Sequence, residues 1–135
     1  MVFLFYGCGG FSQFRIRDLA KTDIDRVAEI HRLQATEQLK SLTEKLYRKN
    51  PSELHKAKNR TIDSRVQQIF TCPPRKFAEI HNQVGTDAVL LGLDPDFKGD
   101  RVFALVYGLY TMIHNAYNGK CDLYMLDYLS AQDLY

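Results

Sequence analysis

Residues 100–118 read DRVFALVYGLYTMIHNAYN, and the fold turns on how they are read. Val102, Phe103, Leu105, Val106, Leu109, Tyr110, Ile113 and Ala116 fall on nearly every side of a helical wheel. A helix that is apolar all round is one that other elements surround. Its apolar run, Val102 to Ile113, falls well short of the roughly 20 residues that a membrane span needs, so it reads as a buried core helix. Asp100 stands where an N-cap belongs, and Asn118-Gly119 marks a turn beyond the last periodic residue. Gly108, in the middle, costs about 1 kcal/mol relative to alanine in a helix. Its presence there predicts a close crossing with another helix.

The flanking sequence supplies helices to surround it. From Thr22 the period is helical, with Asp23 and Asp25 in an expected first turn and Thr22 as cap. Ile24, Ala28, His31, Ala35, Leu39, Leu42 and Leu46 recur at steps of three and four, and Val27, Ile30 and Leu33 widen the stripe. On that stripe His31 is expected to be a core histidine. The run closes at Lys45, Arg48 and Lys49, before Asn50-Pro51. Asn50-Pro51-Ser52-Glu53 restarts a short helix with Asn as cap, Pro at the first position and Glu at the third. Thr61 caps a further segment through Val66, Ile69 and Phe70, which Cys72-Pro73-Pro74 breaks. Residues 75–82 and 86–93 read as two shorter helices around Gly85, and 123–126 as a short extended piece or a helical turn. The expectation is an all-α, compact multi-helix bundle around a buried central helix, with at most a short extended segment near 121–126.

Composition agrees and narrows the function classes. The chain has 135 residues, 45% hydrophobic and 25% charged, enough for one core without staples. A net charge of +2 is too balanced for a nucleic-acid-binding face.

The chain opens MVFLFYGCGG. An apolar run ending in Gly7-Cys8-Gly9-Gly10 has the order of a bacterial lipoprotein signal, in which a small residue precedes the cysteine that takes lipid. Tyr6 is bulky for its place, and no Lys or Arg appears before Arg15, so a basic leader is missing. The reading is a signal remnant and tether over residues 1–10, shortened at its start, then one helical domain over 11–135. The alternative is a short buried strand or turn, Val2 to Tyr6. At the other end, Ser130-Ala131-Gln132-Asp133 opens a helix that has barely a turn to run, which suggests shortening there too.

Two stretches, DIDRVAEIHRLQATEQLKSLTEKLYRKNPSEL (23–54) and GDRVFALVYGLYTMIHNAYNGK (99–120), resemble a family of proteobacterial lipoproteins with no established activity. The resemblance runs from about Phe14 to Tyr135. It implies a lipid anchor on the periplasmic side of a membrane and a helical body, and it brings no catalytic residues.

Candidate chemistry is sparse. With Cys8 assigned to lipid, Cys72 and Cys121 remain either as a disulfide or as two separate buried thiols. Closing a loop of that length would stabilise by about 4 kcal/mol on the chain-entropy model. A Cys72 nucleophile with His81 or His114 as base would require a meeting in space that spacing alone does not supply. His31, His55, His81 and His114 sit on separate segments with no ligand spacing, so neither a metal nor a cofactor is expected. Asp94 and Asp96 superficially open a calcium loop, but Lys98 and Leu105 stand where ligands are needed, and a turn is expected instead. Arg48, Lys49, Lys56, Lys58 and Arg60 form a basic cluster, read as a solvated face or as a contact for anionic lipid headgroups. The leading functional reading is a non-catalytic binding or assembly module on a membrane anchor, with an unidentified envelope protein as partner. The alternative is a periplasmic enzyme with a site assembled across helices, for example from Asp100, Arg101, His114 and Tyr117.

Overall fold

The structure, a computed structural model, describes residues 13–119 and residue 121, with side chains from Asp23 onward. The readings of residues 1–10, 123–126 and 130–135, including Cys8, lie outside the described residues.

The fold is all-α, and among the described residues it is a compact bundle of five helices: α1 (Gln13–Lys49), α2 (Pro51–Lys56), α3 (Ile62–Ile69), α4 (Gly85–Leu93) and α5 (Arg101–Ala116), with a 3₁₀ turn at Ala78–Ile80. No described helix is long and apolar enough to cross a membrane. As the 100–118 stretch predicts, α5 is the central element, and Phe103, Ala104, Val106 and Tyr107 are shut off from solvent. Asp100 caps it, its carboxylate accepting from the Phe103 N–H at 2.9 Å. The close crossing at Gly108 is present. A Cβ there would sit 2.6 Å from the Gly85 carbonyl oxygen and 2.7 Å from the Val89 nitrogen. Gly92 makes the same approach from α4, its added Cβ falling 2.6 Å from the Leu105 nitrogen. The two helices therefore pack backbone to backbone.

Helix α1 departs from expectation in two ways. It is already helical at Gln13, the first described residue, and runs through Thr22 without a cap there. No Gly or Pro interrupts residues 13–22, so nothing stops the helix there, and Asp23 and Asp25 lie mid-helix and exposed. The buried face is also rotated. Arg32, Leu39, Thr43 and Tyr47 are buried, whereas His31 is exposed and Leu42 is 43% exposed. The expectation that His31 is a core histidine is thus overturned. The inward face can carry Thr43 because its hydroxyl donates back to the Leu39 carbonyl at 2.7 Å, and Thr36 does the same to Arg32 at 2.9 Å. Arg32 is paired with Glu29.

Around α2 the expected residues take different work. Asn50 stands at the N-cap of α2 as expected, its carbonyl accepting from the Glu53 N–H at 3.0 Å. Its side-chain amide makes no cap bond and donates to the Leu46 carbonyl at 3.0 Å, finishing α1. Glu53 reaches across to accept from the Arg101 N–H at 2.8 Å, serving the start of α5. Thr61 caps α3 as expected, in a reciprocal box with Ser64.

Residues 75–82 do not form the expected helix. Phe77 is extended, with its ring edge-on to Phe103 and Tyr107, and only the 3₁₀ turn follows. His81 and Asn82, both at φ 56°, then reverse the chain. Asp94 and Asp96 make the expected turn, the Asp96 N–H donating to the Asp94 carboxylate at 2.9 Å.

One buried ion cluster locks the N-terminal end of α5. Arg65, 1% exposed, stands 3.1 Å from the Asp100 carboxylate and binds Glu79 through two hydrogen bonds of 2.9 and 2.8 Å. Its guanidinium lies 4.2 Å over the Phe103 ring. Tyr47 donates to Asp100 at 2.7 Å. The cluster joins α1, α3, the 3₁₀ turn and α5 at one point.

Candidate functional site

The other end of α5 carries the chemistry. Phe103, Tyr107, Tyr110 and His114 follow at steps of three and four, so they form one row along the helix. Residues 70–77 run along that row in the opposite direction. Phe77 packs on Phe103, the Tyr107 hydroxyl donates to the Arg75 carbonyl, and the Tyr110 hydroxyl donates to the Thr71 carbonyl at 3.3 Å. Phe70 meets the Tyr110 ring edge-on at 5.0 Å. Pro73 and Pro74 offer no backbone donor to a helix or a ladder, and the tyrosine hydroxyls fasten the segment through its carbonyls instead.

This fastening sets Cys72 against the last member of the row. Its sulfur lies 3.9 Å from Nδ1 of His114. The Asn118-Gly119 turn brings in the third residue. Both have positive φ, 62° and 64°, and the Gly119 N–H donates to the His114 carbonyl at 2.8 Å. The chain folds back, and Cys121 is joined to Cys72 by a disulfide across a Cα–Cα distance of 5.7 Å. One ligand-type atom from each of Cys72, His114 and Cys121 lies within 4.8 Å of the other two. Both cysteines are half-buried and His114 is buried. Burial, and secondarily the Arg32 charge, hold the His114 imidazole below its usual pKa, so it is neutral at pH 7.

Sequence spacing does not see this set, because its three members come from three separate segments and match no short motif. The signal that was there is the aromatic row at helical spacing facing a Pro-Pro segment that carries a cysteine. His81 does not join the set; it lies in the loop before α4, its ring 5.9 Å from Phe97.

The residues named for an envelope enzyme are not brought together. Asp100 and Arg101 open α5, while His114 and Tyr117 close it, about 20 Å away at 1.5 Å per residue. Asp100 is consumed by Arg65, Tyr47 and its own cap. Burial pushes its carboxyl up, against the opposing hydrogen bonds from Phe103 and Tyr47 and the Arg65 charge. The Tyr47 phenol is held far above its ordinary range by burial first and by Asp100 second, so it stays a donor. The Arg101 side chain donates to the Gly92 and Leu93 carbonyls, closing the end of α4. Tyr117 instead lines an open depression of about 430 Å³ with Ile24, Val27, Ala28 and His31 of α1.

The basic cluster falls at the end of α1, on α2 and in the loop before α3. It is partly neutralised: Lys56 is held by Glu53 and by the Gly99 carbonyl, and Arg48 approaches Glu44 at 3.4 Å. Lys49, Lys58 and Arg60 are exposed.

Comparison of the chain with protein-family models, with curated proteins and with solved structures gave no match in any of the three.

Proposed function

We propose that the chain is a lipid-anchored protein of the bacterial cell envelope, held through Cys8 and facing the periplasm, that binds or assembles with another envelope component without catalysing a reaction. The anchor rests on the Gly7-Cys8-Gly9 order and on the resemblance to lipoproteins. The Cys72–Cys121 disulfide suits an oxidising compartment.

The observation that carries the binding role is on α1. Ile24, Val27 and Ile30 are 68%, 54% and 45% exposed, and Ile24 and Val27 line the open depression that Tyr117 shares. Exposed apolar patches of this kind mark partner surfaces. The separation of Asp100 from His114 along α5 removes the one across-helix constellation named for an enzyme, which supports the non-catalytic reading. The exposed Lys49, Lys58 and Arg60 suit a body held near anionic headgroups, each worth about 1 kcal/mol at the surface.

An intact mass of the native protein, extracted from its own membranes with detergent, tests the anchor. A mass beginning at Cys8 and raised by lipid supports it; an unlipidated, soluble chain that keeps Met1 to Gly7 overturns it. For the binding role, Val27→Glu should abolish a specific cross-linked adduct formed in intact cells. An adduct pattern unchanged by that substitution would remove α1 as the partner surface.

A further inference from the structure

We propose that Cys72, Cys121 and His114 form a redox-gated site for one thiophilic cation of the Zn(II) type, open when the disulfide is reduced and closed when it is formed. The three donors are two sulfurs and one imidazole nitrogen, the set that soft and borderline metals take. They come from three segments that the fold already holds together, so the site is set by packing rather than by a short loop. The Tyr110 and Tyr107 hydroxyls fix residues 71–75, α5 fixes His114, and the Asn118-Gly119 turn returns Cys121.

The geometry leaves room for the change. Two thiolates on a tetrahedral zinc, each at about 2.3 Å, stand roughly 3.8 Å apart. Cα atoms 5.7 Å apart allow that separation by rotation of the two cysteine side chains, without moving the backbone. His114 Nδ1, at 3.9 Å from the Cys72 sulfur, is within a few tenths of an ångström of the roughly 3.6 Å that an imidazole nitrogen and a thiolate keep on one tetrahedral zinc. Protein supplies three ligands, and water would complete the tetrahedron.

The chemistry balances in two steps. A dithiol reductant gives two electrons and two protons to the Cys72–Cys121 bond, becoming a disulfide itself and leaving two thiols. Metal binding then displaces both thiol protons to solvent, and two thiolates neutralise the divalent charge. Metal and disulfide therefore compete for the same two sulfurs, so each state excludes the other.

The test uses the full chain carrying Cys8→Ser, so that no third thiol contributes. Protein reduced under anaerobic conditions is titrated with Co(II) as the spectroscopic probe, then with Zn(II). The expected result is one Co(II) per chain, with thiolate-to-cobalt charge-transfer bands and the intense visible bands of tetrahedral cobalt, displaced by Zn(II). Oxidised protein should show none of this. Cys72→Ser should lose most of the charge-transfer intensity, and His114→Gln should weaken binding at least tenfold with the thiolate bands retained. If reduction alone unfolds the chain, Co(II) must restore the helical circular dichroism, and His114→Gln must blunt the recovery. Absence of the bands in reduced protein, or an affinity indifferent to His114→Gln, overturns the site.

Discussion

Arg65 shows what a single buried charge does in this protein. It is enclosed, and it faces two carboxylates of different standing: Asp100, also buried, and Glu79, whose side chain is 39% exposed. Removing the cation leaves Asp100 without its counter-charge, and breaking a buried pair in this way costs about 3–5 kcal/mol. Removing the half-exposed partner costs far less, about 1 kcal/mol or under, because solvent screens Glu79 already. Urea unfolding should therefore rank Arg65→Met well below Glu79→Gln in stability, and equal losses would mean that Asp100 is not ionised in the fold. Tyr47→Phe tests the same group from the other side. It deletes one hydrogen bond to a charged acceptor, worth about 1.5–3 kcal/mol, while Phe103 N–H and Arg65 still hold the carboxylate. Its loss should fall between the other two.

At the scale of the elements, the α4–α5 crossing and the start of α5 decide how the helices sit. Gly108→Ala sets two effects against each other. Helix propensity would gain about 1 kcal/mol, but the added methyl would press on the backbone of Gly85 and Val89, and overpacking of that kind costs about 1–3 kcal/mol. The obstacle is backbone, which cannot swing aside, so the variant should melt at lower temperature than the parent. Glu53 gives a pH signature for the second contact. Burial pushes its carboxyl up, but the hydrogen bonds from Lys56 and the Arg101 N–H, with the charges of both residues, outweigh burial and leave it below the usual 4.5. A folded pKa below the unfolded one means the stabilisation is present above the unfolded value and fades as pH falls through the folded one. The melting-temperature gap between the parent and Glu53→Gln should be full at pH 7 and shrink as pH drops below about 4.5. A gap constant down to pH 3 would show that the charge contributes nothing.

These same elements show what sequence could and could not say. Asp100, Thr61 and Gly108 were legible because each does a job with a local cost or a local bond that residue type alone announces. The face of α1 was not. Its inward side carries Arg32 and Thr43, polar residues satisfied by Glu29 and by a backbone carbonyl, and apolar periodicity has no means of finding them. His31 was misplaced by that one-residue rotation. Residues 75–82 failed for a related reason, since Phe77 gains more by reaching Phe103 and Tyr107 from an extended backbone than by joining a helix. For the cluster at Cys72 the sequence offers the partners, Cys121 and His114, but not their meeting, because tertiary fastening along α5 makes it.

Taken whole, the molecule is a spine, α5, with a lock at each end. Asp100 and Arg65 close one end with charge; Cys72 and Cys121 close the other with a covalent bond over a sequence separation of 49. The two locks act on different states. The ion cluster exists only in the folded protein, whereas the disulfide limits chiefly the unfolded chain, by about 4 kcal/mol on the loop-entropy model. A domain of this size has about 5–15 kcal/mol in total, so the reduced chain should still fold, with its urea midpoint lowered. Because the oxidised unfolded chain is the more compact, the dependence of stability on urea should also steepen on reduction. Combining reduction with Tyr47→Phe then separates the locks. Tyr47 and Cys72 act at opposite ends of α5 and share no partner, so their losses should add to within about 0.5 kcal/mol. A combined loss much larger than the sum would mean that opening the cysteine end loosens α5 along its whole length, and that the spine transmits the redox state of Cys72 and Cys121 to Asp100.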